Sequence, residues 1–400
     1  MDKQIEHKSL PSWQLLLYLL MISLTFITAP KSGLAYVATR GIQMIECIFL
    51  LVLLITHFKQ GLKREKYNII VNLWWLVYTI LAYMDITHQA GLTPIFKWLN
   101  IIIFLLLGSC YWKYNVHDSL RYIAISFSFL IYLNAILLVL FPDGLWVDDE
   151  WIGRGDDTRY LFGNYNQIGF VCLLGMTVQA LYTFSTKKGK FNLFLLTMIS
   201  IASVVFVGSM TSAVSLSLFA TYMLFNKIVR NPKRFFAFFV ICYITFFTFI
   251  IWNGHSIEEV SLATRFIEGT LSKDTSFSNR TDIWENAVKL IKESPLIGYG
   301  IQDIEWNDTH LGNSGPHNLW LMLLLQGGLL ICFTFISITF YAIKQALKTR
   351  STTTTLGIIA LCILCIMSLF EAYYIAQIFL LLQLIYYSPL LVQENEKITD

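Results

Sequence analysis

Charge is what this sequence most lacks. Asp, Glu, Lys and Arg make up 14% of its 400 residues, against roughly 25% in soluble domains. An excess of basic charge is missing too: 29 Lys and Arg face 26 Asp and Glu, so there is no basic face for a nucleic acid. Cysteine is scarce. All seven lie inside or at the ends of apolar runs, which excludes a disulfide framework. Cys362-Ile363-Leu364-Cys365 spells C-x-x-C, but without a second ligand pair it reads as packed thiols rather than a metal site. No small-residue cleavage site follows the first apolar run, so that run is not read as a removable signal peptide. No internal repeat is visible, which disfavours a transporter built from inverted halves. What is abundant is apolar sequence, at 56% of residues with a mean hydropathy of +0.59. A water-soluble fold of this length could not cover that surface, and disorder, collagen and coiled coil are excluded by the same composition. The chain reads as an all-α polytopic membrane protein, because helices satisfy their own backbone hydrogen bonds in lipid.

A span needs about 20 apolar residues. Such runs fall at 13–29, 41–58, 69–84, 95–112, 122–141, 168–185, 191–207, 212–226, 235–252, 318–343, 353–370 and 374–392. They predict about twelve transmembrane helices in a single integral membrane domain, 1–400. The break between 191–207 and 212–226 is the weakest, marked only by Gly208, Ser209, Thr211 and Ser212. Basic residues collect in alternate short loops, such as Lys187, Lys188 and Lys190, or Lys344, Lys348 and Arg350. That pattern predicts both termini in the cytoplasm. The opposite loops are acidic, with Asp148, Asp149, Glu150, Asp156 and Asp157 in one of them. Two outer segments, 142–167 and 253–316, exceed the roughly 12–15 residues beyond which loops are usually functional or disordered. In the large late loop, Ile283, Trp284, Ala287, Val288, Leu290 and Ile291 repeat at helical spacing. They predict an amphipathic helix over about 282–293, ended by Pro295.

Basic residues on the outer side are few and therefore informative. Arg159, Arg265 and Arg280 are candidates for phosphate, since guanidinium matches phosphate oxygens in a two-pronged contact; snorkelling to headgroups is the alternative. His317, in Ser314-Gly315-Pro316-His317-Asn318 at the start of a long span, can act as a general base near neutral pH. An interfacial histidine satisfied by water is the competing reading. The acidic runs read as solvated faces, and no metal site and no cofactor are expected. Glu46 falls within a span and is a functional candidate on that ground alone.

Four pieces then occur in order: Ser278-Asn279-Arg280-Thr281-Asp282-Ile283-Trp284, Pro295-Leu296-Ile297-Gly298-Tyr299-Gly300, His317-Asn318-Leu319 and Gln326-Gly327-Gly328-Leu329. Together they resemble the O-antigen ligase/polymerase superfamily, with its R-x-x-x-W helix, P-L-x-G-x-G turn and H-N span start. Arg159, Gly163 and Asn166 resemble its motif before a middle span. Two departures stand out: Met210 occupies a position where family members often carry Arg, and Gly327-Gly328-Leu329 replaces the G-x-x-T-G-T tail of ligases. The second favours a Wzy-type polymerase over the ligase branch.

The resemblance implies a bacterial inner-membrane, multi-pass glycosyltransferase acting without metal on undecaprenyl-diphosphate-linked oligosaccharides. It would build O-antigen, capsular or exopolysaccharide, beside flippase and chain-length regulator proteins. It implies His317 and Arg280 as catalytic residues, and Arg159, Arg265, Asn166, Trp284, Gly298, Gly300 and Asn318 as substrate-binding residues. Trp284, Trp306 and Trp320 would stack on sugars. Glycan transfer to another acceptor and a non-enzymatic lipid-linked-oligosaccharide flippase are the alternative functions.

Overall fold

The computed structural model describes residues 116–147, 158–226, 228–229, 231–253, 280–373 and 375–392, with positions 26–28, 37, 41, 44, 45, 48, 70, 71 and 74. The four earliest expected spans therefore lie outside the described residues except at those positions, and Arg265, Glu46 and the acids between 148 and 157 lie outside them entirely.

Every later apolar run is a helix. These are α1 Val116–Leu140, α2 Tyr165–Thr186, α3 Lys190–Phe206, α4 Met210–Leu224 and α5 Pro232–Phe246, the last continued by a π-helical turn, Phe247–Trp252. Beyond the large loop come α6 Arg280–Glu293, α7 Ile304–Leu311, α8 Leu319–Ala346, α9 Thr352–Ser368 and α10 Ile375–Tyr387. Among the described residues, α1, α2, α5 with its π turn, and α8 are long and apolar enough to cross a membrane; α3, α4, α9 and α10 are shorter apolar helices. The uncertain break at Gly208–Ser209 is real and separates α3 from α4.

Three boundaries differ from the sequence reading. α1 begins at Val116, not 122, because His117, Asp118 and Arg121 do not break a helix that runs on past its apolar stretch. α6 begins at Arg280, not Asp282, which places Arg280 on the first turn of a helix. The 142–167 segment ends in a short antiparallel ribbon, β1 Trp146–Val147 with β2 Thr158–Arg159, and Asn164 then caps α2 by accepting from the Gln167 N–H at 3.1 Å.

The sequence explains the layering. α2 and α9 are buried along most of their length and form the centre, packing on each other; α9 also meets α4, α5, α8 and α10. α2 passes close to α4 at Gly169, where a Cβ would stand 2.1 Å from the Ser212 hydroxyl. Small residues permit such approaches where lipid gives helices no other reason to associate. α6 is different in kind. Its polar face is exposed, while Ile283, Trp284, Ala287, Val288 and Ile291 are buried against α8, α7 and the π turn. Burying each of its large apolar side chains contributes about 1.5–3 kcal/mol, enough to fix a helix whose ends carry charge. Cys362 and Cys365 are unpaired and sit within α9.

Candidate functional site

The turn between α9 and α10, Leu369 to Tyr373, is where three other helices meet. Arg280, on the first turn of α6, donates from Nη1 to the Phe370 carbonyl and holds Nη2 3.9 Å from Glu371 Oε2. Asn166, on the first turn of α2, donates to the same Oε2 at 2.6 Å. Asn318 donates to the Leu369 carbonyl at 2.9 Å, while its side-chain oxygen caps α8 by accepting from the Trp320 and Leu321 N–H groups. His317 Nδ1 stands 3.6 Å from Glu371 Oε1. One carboxylate therefore faces an arginine, a histidine and an amide delivered by separate helices.

The surroundings are polar and ordered. Ser209, at the α3–α4 break, lies 3.1 Å from Asn166 Oδ1 and 2.9 Å from Ser212 Oγ. Tyr373 is buried; that burial first, and then the charge of Glu371, push its phenol well above the ordinary tyrosine range, so it stays neutral. Glu371 is the deepest of Glu371, Arg280 and His317, its side chain 10% exposed against 19% for Arg280 and 22% for His317. A ligand approaching from solvent thus meets the arginine and the histidine before the carboxylate.

His317 has a positive φ of 44°, which costs a non-glycine residue of order 1–3 kcal/mol and is most often kept where function needs it. Its neighbours hold that conformation. The Trp284 indole N–H donates to the Pro316 carbonyl at 3.1 Å, and Asn318 is tied to Leu369 on the other side. The imidazole Nε2 is 3.1 Å from Asn313 Oδ1.

The glycine turn after α6 has a structural partner that the sequence did not show. α8 breaks at Gly328, where φ is 58° and ψ −159°. An unbroken helix would pair the N–H groups of Leu329 and Leu330 with the carbonyls of Leu325 and Gln326. Instead the turn inserts between them. Leu329 and Leu330 donate to Pro295 and Leu296 at 2.8 and 3.2 Å, and Tyr299 and Gly300 donate to Leu325 and Gln326 at 2.6 and 3.1 Å. Each of the four orphaned groups finds a partner, the condition for irregular backbone at membrane depth. The approach is so close that a Cβ on Gly298 would lie 2.3 Å from the Leu325 oxygen.

Of the residues singled out in the sequence, the structure brings Arg280, His317, Asn166 and Asn318 to one place. Trp284 is there too, but it is 1% exposed and Asn318 is fully buried, with their polar groups committed as described. Gly298 and Gly300 contact the α8 break. Arg159 is buried in β2, in the ribbon leading into α2, and donates to the Thr158 carbonyl at 3.1 Å. Trp306 stacks on His310 within α7, and Trp320 donates to the Tyr243 hydroxyl at 2.7 Å. Glu371 was missed. Its signal was available, since it is an ionisable residue set between two apolar runs in Phe370-Glu371-Ala372, and such residues are functional candidates by default.

A helical membrane protein with a polar cluster of Arg, His and Glu where helices meet is the class that fold and site define. Residues 193–336 match the family model described as O-antigen ligase (Wzy_C), and this match supports membership of the O-antigen ligase/polymerase superfamily. The matched stretch contains Arg280, Trp284, Gly298, Gly300, His317 and Asn318, and leaves Arg159, Asn166 and Glu371 outside it. No curated protein matches the chain.

Proposed function

We propose that this protein is a polysaccharide polymerase. It moves a growing glycan from undecaprenyl diphosphate to the sugar end of one new lipid-linked repeat unit, on the outer face of the bacterial inner membrane. The observation that carries the reading is the convergence on Glu371 of Arg280 and His317, both partly open to solvent and both within the stretch that matches the O-antigen ligase family model.

The chemistry fits the residues. The leaving group is a diphosphate, and fixed cations and dipoles stabilise the charge it gains. Arg280 supplies the cation, with Arg159 and Arg265 as further diphosphate contacts. The N-termini of α2, α4 and α8 begin at Asn164, Ser209 and Asn318, and their dipoles favour an anion nearby. The acceptor is a sugar hydroxyl, which gains from a base, and His317 is that base. Asn166, Trp284, Gly298, Gly300 and Asn318 serve as positioning residues, since the groups they offer are spent on protein contacts. No cofactor enters the scheme.

Deletion of the gene followed by sizing of the glycan tests the reading. A single repeat left on the lipid carrier supports a polymerase. The description of the matched family favours a second reading, transfer of finished glycan to another acceptor; that activity predicts full-length polymer accumulating on the carrier. Normal, correctly placed polymer would remove both.

A further inference from the structure

Only one nitrogen of a neutral imidazole can take a proton, and the structure says which. Nε2 of His317 is 3.1 Å from Asn313 Oδ1. The orientation of that amide is fixed independently, because the Ser314 backbone N–H meets Oδ1 at 2.7 Å and the Ser314 hydroxyl meets it at 3.0 Å. A backbone N–H only donates, so the amide oxygen, not its NH₂, occupies this position. Nε2 facing that oxygen must therefore carry the hydrogen. The lone pair is left on Nδ1, which faces Glu371 Oε1 at 3.6 Å. That separation is longer than a hydrogen bond.

We infer that His317 acts through Nδ1, in the Nε2–H tautomer set by Asn313, and that Glu371 is the positioning carboxylate that receives the imidazolium formed there. The inference rests on the reading of His317 as base. In the transfer step the acceptor O–H bond breaks and its proton moves to Nδ1. The acceptor oxygen forms the new bond to the donor sugar's anomeric carbon. The bond from that carbon to the diphosphate breaks, and its electron pair leaves with undecaprenyl diphosphate. The proton later passes from Nδ1 to water. The positive charge that forms on the ring is stabilised by the nearby Glu371 carboxylate, whose Oε1 stands 3.6 Å from Nδ1. The two carboxylate oxygens divide the work. Oε2 meets Asn166 and Arg280, and Oε1 faces the histidine. Of the other groups around the carboxylate, Arg280 balances its charge and the neutral Tyr373 adds none.

The test reads the tautomer apart from turnover. Histidine-¹⁵N solid-state NMR of the full chain in lipid, above the pH at which histidine protonates, should show His317 with a protonated Nε2 and a bare Nδ1; loss of those signals in His317→Gln identifies them. Asn313→Leu removes the acceptor. The hydrogen should move to Nδ1, and turnover of purified lipid-linked repeat units should fall by about 10²-fold or more. Asn313→Asp keeps an acceptor oxygen and should keep the tautomer and most of the rate. Glu371→Gln still accepts from Asn166, so it should remain folded while losing turnover by about 10²-fold. A bare Nε2 in the wild-type spectrum, or an Asn313→Leu protein that keeps the Nε2–H form, overturns the assignment. Full turnover by His317→Gln overturns the base reading instead, whichever tautomer is found.

Discussion

At the scale of single residues, Glu371 is a carboxylate with 8% of its surface exposed, set between two apolar helices. Charge buried this way costs several kcal/mol unless partners meet it, and Arg280, His317 and Asn166 do so from other helices. Removing one partner should therefore be felt in stability as well as in rate. Arg280→Ala should lower both the thermal midpoint of the detergent-solubilised protein and its turnover. Arg280→Lys keeps a cation near Glu371 but loses the fork that grips phosphate, so the midpoint should hold while turnover falls by at least about tenfold. Adding Glu371→Ala to Arg280→Ala removes the stranded charge; the midpoint should recover and the activity should not. Recovery of activity in the double variant would mean that neither group acts on substrate. His317→Ala should give an inserted protein with little long-chain product, a loss of about 10²–10⁴-fold for a missing general base. Normal chain length from that variant would end the base assignment.

At the scale of elements, the interlock between the 295–300 turn and the α8 break makes a graded prediction. Gly208 has a φ of 75° with nothing within 4 Å of its missing Cβ, so Gly208→Ala should cost only the left-handed penalty of about 1–2 kcal/mol. Gly298→Ala and Gly328→Ala carry that penalty and also collide with backbone at 2.3 Å. Both should reduce the yield of folded protein far more than Gly208→Ala does, read by fluorescence-detected size exclusion after heating. Equal yields from all three would deny the interlock. The sequence announced only half of this feature. Pro295, Gly298 and Gly300 punctuate a polar loop and so are legible as a turn, whereas Gly327 and Gly328, though part of a quoted motif, fall inside the run 318–343, which reads as one continuous span. The helices were legible because lipid imposes one period and one length on them. The β-ribbon, two residues per strand, is too short to print a pattern. The site was legible where it rested on motifs, at Arg280, His317 and Asn318. It was illegible where one carboxylate, Glu371, draws its meaning from depth and from partners up to 205 positions away in the chain, as Asn166 is.

At the scale of the whole molecule, helix direction alternates. The first turns of α2 and α6, the cap of α8 and the α9–α10 turn share one end, as their contacts show. The Lys187–Lys190 turn follows α2, whose 22 residues span about 33 Å. With the basic turns cytoplasmic, cysteines placed at Lys187 and Lys344 in a background without native cysteines should resist an impermeant reagent in intact cells. One placed at the exposed Glu305 should react. Labelling at position 187 from outside would invert the topology and move the reaction to the wrong face. The same charge rule expects Asp149 outside and Arg230 inside; both lie outside the described residues and are tested by the same method.

The interlock also divides what can be inherited freely from what cannot. The chain leaves it at Gly300, bonded to Gln326, and returns at Pro316, held by Trp284. Between those anchors α7 packs against α6 but leaves Glu305, Thr309 and His310 exposed, and the side-chain hydrogen bonds of Thr309 and His310 stay within α7. Such an exposed face can diverge without disturbing the residues that do chemistry. If the proposed function holds, exchanging only the exposed Glu305, Thr309 and His310 should leave the thermal midpoint unchanged and alter which repeat unit is accepted, measured by competition between two lipid-linked repeats.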